Sequence, residues 1–180
     1  MLTGCELIDR YDDLYKLEAA KWGLDWQCVK ALACTESSQD ETQSAYRRGN
    51  REMYLRLIDG KDRWKAHRYY GRPEILCRAY GLLQVTYVVA MECGFPREGD
   101  WWALYGPAVN VACGCAHLGR ALARFKNLSS ALAYYNAGRV NVTDGKFENQ
   151  PYVDGIMQSF GRFQEAGNPT GLGHGGGAGA

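Results

Sequence analysis

A glutamate stands where a helix should be apolar. In "WQCVKALACTESSQDE", Val29, Leu32, Ala33 and Glu36 fall at i, i+3, i+4 and i+7. That spacing puts all four on one helix face, and three of them are apolar. A carboxyl on such a face is desolvated, which disfavours its charged form and raises its pKa. A carboxyl that holds its proton near neutral pH is a general acid. The plain alternative is a Glu that emerges into water as the helix ends. Two serines, Ser37 and Ser38, follow at once.

Other chemistries have less support. "CGC" at 113–115 lacks zinc-site spacing and only three histidines are present, so no metal or other cofactor is expected. The chain has seven cysteines, and Cys28, Cys34, Cys77, Cys93, Cys113 and Cys115 sit among apolar neighbours, as small core residues do. The formal net charge is +1, so bulk electrostatics give no reason to expect a nucleic-acid partner. A local basic cluster runs from Arg47 through Arg48, Arg51, Arg56, Lys61, Arg63 and Lys65 to Arg68. It reads either as a solvated face or as a surface for an anionic polymer. No stretch approaches the ~18 apolar residues of a membrane span, so no stable membrane insertion is expected.

The elements that must position Glu36 have a helical period almost throughout. Leu7, Ile8, Tyr11, Leu14 and Tyr15 suggest a first amphipathic helix, ending near Gly23. Asp25 can cap the helix that carries Glu36. Residues 40–78 are polar, aromatic and basic, and read as one or two short helices broken at Gly60 and stopped at Gly71 to Pro73. A helix is expected from Tyr80 to Gly94, then a loop through "FPREGDWWALYGP". A long core helix follows on Val109, Ala112, Cys113, Ala116, Leu118, Leu122 and Phe125. Ser129 or Ser130 would cap "ALAYYNAG", with Gly138 ending it. Residues 139–150 read as a loop, and Val153, Ile156, Met157 and Phe160 as a last helix. No strand-like alternation of useful length appears. The Gly-rich tail, 166–180, is expected to be flexible.

Four segments, "ESS" at 36–38, "YGLLQVT" at 80–86, "ALAYYNAG" at 131–138 and "YV" at 152–153, stand in an order that resembles the SLT-type lytic transglycosylases of the lysozyme superfamily. "AVNVACGCAHLGRALARF" between them is similar to the family's Asn-bearing helix. The resemblance spans roughly residues 24–160. It implies a mainly α, lysozyme-like single domain over 1–165, with a helical insert at about 40–78 between the Glu helix and "GLLQ". It implies that Glu36 is the catalytic acid. It implies a substrate cleft with Ser37, Gly81, Leu82, Gln84, Tyr135, Asn136 and Tyr152, the last with its hydroxyl near the carboxyl. Gly81 would let a sugar approach the backbone, and Gln84 would offer a donor and an acceptor. Tyr134 and at least one of Leu82 and Leu83 read as core.

The activity so implied is lytic cleavage of the MurNAc–GlcNAc bond of peptidoglycan, with a 1,6-anhydro product and a single Glu. Two alternatives stand beside it. One is a hydrolytic muramidase of goose-lysozyme type, for which Asp40, Glu41 or Glu92 would have to hold water. The other is a wall-binding module without activity. The chain departs from the family in two places: "QDETQ" follows the "ESS", and the interval from Glu36 to Gly81 is longer. That insert carries Tyr46, Tyr54, Trp64, Tyr69 and Tyr70, which suit glycan stacking or a small core of their own, with Trp64 inward. The N-terminus lacks a basic region followed by an apolar run. The expectation is therefore a monomer made in the cytoplasm with reduced thiols. It would reach peptidoglycan in the periplasm or wall by holin release, virion carriage or a secretion apparatus.

Overall fold

The computed structural model describes residues 4–46, 69, 72–76, 78–96 and 99–167. Most of the expected insert, including Tyr54, Trp64, Tyr70 and the basic cluster, lies outside the described residues, as do 168–180 of the tail.

The described chain is mainly α. A 3-10 turn, Gly4–Leu7, leads into α1 (Asp12–Ala20) and α2 (Trp26–Ser37). Strand β1 (Ser44–Tyr46), the short helix α3 (Pro73–Leu76), β2 (Arg78–Tyr80) and β3 (Val85–Thr86) follow. Then come α4 (Tyr87–Glu92), a 3-10 turn at Trp101–Tyr105, α5 (Pro107–Phe125) and α6 (Leu128–Ala137). A small hairpin of β4 (Val142–Thr143) and β5 (Lys146–Phe147) precedes the last helix, α7 (Gln150–Gly167). No described helix is long and apolar enough to cross a membrane.

Helix α5 is the centre of the fold. Pro107 occupies its first turn, where a missing N–H does no harm. Its buried face holds Val111, Cys115, Leu118 and Ala121, and it packs on α6, α1 and α4. Helix α2 packs between α1 and α7. Val29, Leu32 and Ala33 are fully buried there, so the stripe that carries Glu36 does face the core. Asp25 caps α2, its side chain accepting the Gln27 N–H at 2.9 Å. The six described cysteines form no disulfide.

Several expectations are corrected. The first helix is split: Leu7 and Ile8 are exposed, and the chain turns at Asp9 before α1 begins. The helix expected from Tyr80 starts only at Tyr87. Gly81 and Gln84 both take left-handed φ, +69° and +46°, so residues 81–84 form a tight turn between β2 and β3. Strands of two or three residues are too short to show alternation, and β1-β2-β3 form an antiparallel sheet that periodicity could not reveal. Pro73 opens a short helix instead of stopping one. Helix α6 is capped by Asn127, whose side chain accepts the Ser130 N–H at 2.9 Å, so the serines lie inside the first turn. The loop at 139–150 contains a hairpin because Asp144 and Gly145 both adopt positive φ, the pairing that a two-residue hairpin turn favours. Helix α7 runs through Gly167, so Ala166 and Gly167 belong to it and not to a flexible tail.

Candidate active site

Glu36 is the penultimate residue of α2, and the helix stops abruptly behind it. Ser38 and Gln39 take left-handed φ of 55° and 60°. Two such non-glycine residues are unfavourable, and a set of hydrogen bonds holds them. The Ser38 N–H donates to Cys34 O at 3.0 Å and the Gln39 N–H to Ala33 O at 3.3 Å. The buried Gln39 amide accepts from the Tyr15 hydroxyl at 3.1 Å and donates to Ile8 O at 3.1 Å and to Cys5 O. The chain therefore reverses right after Glu36.

Two tyrosines face this helix end. Tyr152, in the first turn of α7, donates its hydroxyl to Glu36 Oε1 at 2.5 Å. That is the short range seen when a donor meets a carboxylate. Tyr135, on α6, donates to Leu83 O at 2.7 Å. Burial pushes its pKa well above the ordinary phenol value, and the nearby charge of Glu36 pushes it further. Tyr135 is therefore a neutral phenol beside the acid.

The turn at Gly81–Gln84 is held from four sides. Ser37 Oγ is 2.8 Å from Leu82 O and 3.2 Å from Ala33 O. Tyr135 holds Leu83 O. Asn110, fully buried on α5, accepts the Leu83 N–H at 2.7 Å and donates to Tyr80 O at 2.6 Å and Leu104 O at 2.8 Å. The Gln84 amide donates to Gly81 O at 2.9 Å and Gln43 O at 3.1 Å. A Cβ on Gly81 would stand 2.6 Å from Asn110 Nδ2. Glycine is needed there for Asn110 as well as for its positive φ.

These facts revise where the candidate residues point. Glu36 and Tyr152 are in contact, and Tyr135 lies close to both its turn and the acid. Ser37 and Gln84 are buried, with their hydrogen bonds made inside the protein, and Leu82 is in the core. Gly81 makes room for Asn110 where a sugar was expected. Asn136, half-buried at the end of α6, has its Oδ1 held by Asn149 Nδ2 at 3.1 Å. Sequence reading missed Asn149, and it noted Asn110 only as the Asn of a family-like segment, without a role. A polar residue on the buried face of α5, one turn before Gly114, was the available signal for Asn110.

The carboxylates near Glu36 in sequence are engaged elsewhere. Asp40 accepts from the Thr42 hydroxyl at 2.7 Å and its N–H at 2.8 Å. The Thr42 hydroxyl and N–H hold its carboxyl below the usual range. Glu41 is bound by Tyr11 and Arg10, and the Tyr11 hydroxyl keeps its pKa low. Glu92 ends α4.

The model of the Transglycosylase SLT domain family matches residues 13–152. The chain belongs to this family. No curated protein matches the sequence. The matched span holds Glu36, the turn at 81–84, Asn110, Tyr135 and Asn136, and it closes on Tyr152. Membership makes the fold that of a lysozyme-like SLT domain and the general function that of a lytic transglycosylase acting on peptidoglycan.

Proposed function

We propose that this SLT domain cleaves the β-1,4 bond between MurNAc and GlcNAc without water, leaving 1,6-anhydro-muramic ends, and that Glu36 alone serves as acid and then base. The observation that carries the reading is the 2.5 Å hydrogen bond from Tyr152 to Glu36 Oε1. A phenol can donate to a carboxylate and accept from a carboxylic acid, so one partner serves Glu36 in both protonation states. The proton first goes from Glu36 to the glycosidic oxygen of the leaving GlcNAc. The acetamido oxygen of MurNAc stabilises the cationic C1. Glu36, now a carboxylate, takes the proton of the C6 hydroxyl as that oxygen closes on C1. The acid is regenerated and no water is consumed.

A two-carboxylate hydrolase needs a second acid to hold water. The bonds that occupy Asp40 and Glu41 favour the single-acid scheme. Asn136 serves the substrate as a donor, whereas Ser37, Gly81, Leu82, Gln84 and Tyr135 shape the turn behind the acid. The place of action is where peptidoglycan lies, the periplasm or wall. Digestion of purified peptidoglycan followed by mass spectrometry tests the reading. Anhydro-muropeptides from wild type and none from Glu36→Gln are expected; reducing ends alone would make it a hydrolase.

A further inference from the structure

We propose that Asn149 is a positioning residue for this reaction: it fixes which end of the Asn136 amide faces the substrate. The inference rests on the reading of the site given above. Asn149 sits immediately before α7, and its carbonyl accepts the N–H groups of Tyr152 at 3.0 Å and Val153 at 3.3 Å. It thus begins the helix that brings Tyr152 to Glu36. Its side chain reaches the other way, to α6. Nδ2 donates to Ala133 O at 3.1 Å and to Asn136 Oδ1 at 3.1 Å.

The orientation follows from one atom. A backbone carbonyl can only accept. The group that Asn149 turns to Ala133 O must therefore be its NH2. The second hydrogen of that NH2 needs an acceptor, so Asn136 must turn its Oδ1 inward. Its own NH2 is then the outward end. Asn149 Oδ1 is buried without a partner among the described residues, an arrangement with a cost of its own. The two bonds made by Nδ2 offset it. An amide that could flip freely would present a donor or an acceptor at random; this one presents a donor, fit for a carbonyl oxygen such as that of an acetamido group.

Asn149→Asp keeps the shape and removes the donor. Its carboxylate can be met only by the Asn136 NH2, which reverses that amide and turns an acceptor outward. The test is a cycle of Asn149→Asp, Asn136→Ala and the double variant, read as kcat and KM on peptidoglycan with melting temperature alongside. The expected result is a loss of roughly tenfold or more in kcat/KM for Asn149→Asp, of the size one misdirected hydrogen bond gives. In the Asn136→Ala background the same change should do almost nothing further to kcat/KM. A loss of equal size in both backgrounds would overturn the proposal, because a merely structural residue acts whether or not Asn136 is present. So would wild-type kcat/KM in Asn149→Asp. If the Asp variant does not fold, Asn149→Leu is read in the same cycle, with the same two overturning outcomes. The product of wild type separates this inference from the mechanism: hydrolytic products sink the transglycosylase reading, while the cycle still reports whether Asn149 acts through Asn136.

Discussion

Two glutamates meet the last helix at its opposite ends, and they find different partners there. Glu6, almost fully buried in the N-terminal turn, is gripped by Arg162. The guanidinium Nε lies 3.2 and 3.3 Å from the two carboxylate oxygens, Nη2 adds a further bond, and Nη2 also donates to Ser159 at 2.8 Å. Glu6 holds the guanidinium proton above its ordinary range. Glu36 receives from the same helix a phenol, through Tyr152. A permanent cation fixes a carboxylate as an anion and makes it part of the scaffold. A neutral donor orients a carboxyl and lets its proton come and go. One helix thus fixes one acid as an anion and, in the proposed mechanism, leaves the other free to exchange its proton.

The comparison can be broken most directly at Glu36. Glu36→Gln keeps the shape and removes the proton. The expected loss is roughly 10²–10⁴-fold in turnover, the range for general acid–base catalysis, with a melting temperature close to wild type. Turnover at the wild-type rate would end the assignment. At the other end, Arg162→Met takes from buried Glu6 the guanidinium that grips it. Loss of one partner of a buried pair is strongly destabilising; with Arg162 itself 27% exposed, about 2–3 kcal/mol is expected from chemical denaturation. Turnover per folded molecule should hold. A variant that stays stable while turnover collapses would reverse the roles given to the two acids.

How much of this could be read from the sequence differs between the two ends. The Val29–Ala33 stripe made the position of Glu36 legible, because helical periodicity survives as spacing. The Tyr152 contact was reachable only through the family resemblance, since 116 residues separate it from Glu36. Nothing in the spacing announced Arg162 and Glu6. Glu6 sits in a 3-10 turn that the apolar pattern of Leu7, Ile8 and Tyr11 disguised as a helix. The turn at 81–84 was misread for a related reason. "LLQVTYVVA" has the apolar density of a buried helix, and only the positive φ of Gly81 and Gln84 reveals the break. Ser37 and Gln84 were expected to face substrate because the family resemblance implied a cleft lined by their segments. They face the backbone because a buried turn must satisfy its own carbonyls.

Acid sensitivity offers a smaller test. His117 packs between Tyr134 and Tyr135, with ring centroids 5.8 and 5.0 Å away. Burial, with Arg120 adding to it, lowers its pKa from 6.5 to about 4. Between those values the unfolded chain binds a proton that the folded chain refuses, so stability rises with pH there. Stability should therefore fall as pH drops through about 6.5 and level off below about 4, a change of roughly 3 kcal/mol. His117→Phe should remove that slope from the pH dependence of the melting temperature. An unchanged slope would move the acid sensitivity away from the Tyr135 side of the site.

The smallest effect asks how the acid's helix is tied to the turn beside it. Ser37 follows Glu36 and its hydroxyl is 2.8 Å from Leu82 O. Ser37→Ala removes the donor and leaves a buried carbonyl short of a partner. The expected stability loss is about 1 kcal/mol, with KM for peptidoglycan unchanged, because the hydroxyl is turned into the protein. If Ser37 instead contacted the glycan, KM would rise and stability would hold. Denaturation and steady-state kinetics on the one variant therefore decide whether the serine beside the acid supports the scaffold, as Arg162 does, or joins Tyr152 on the chemical side.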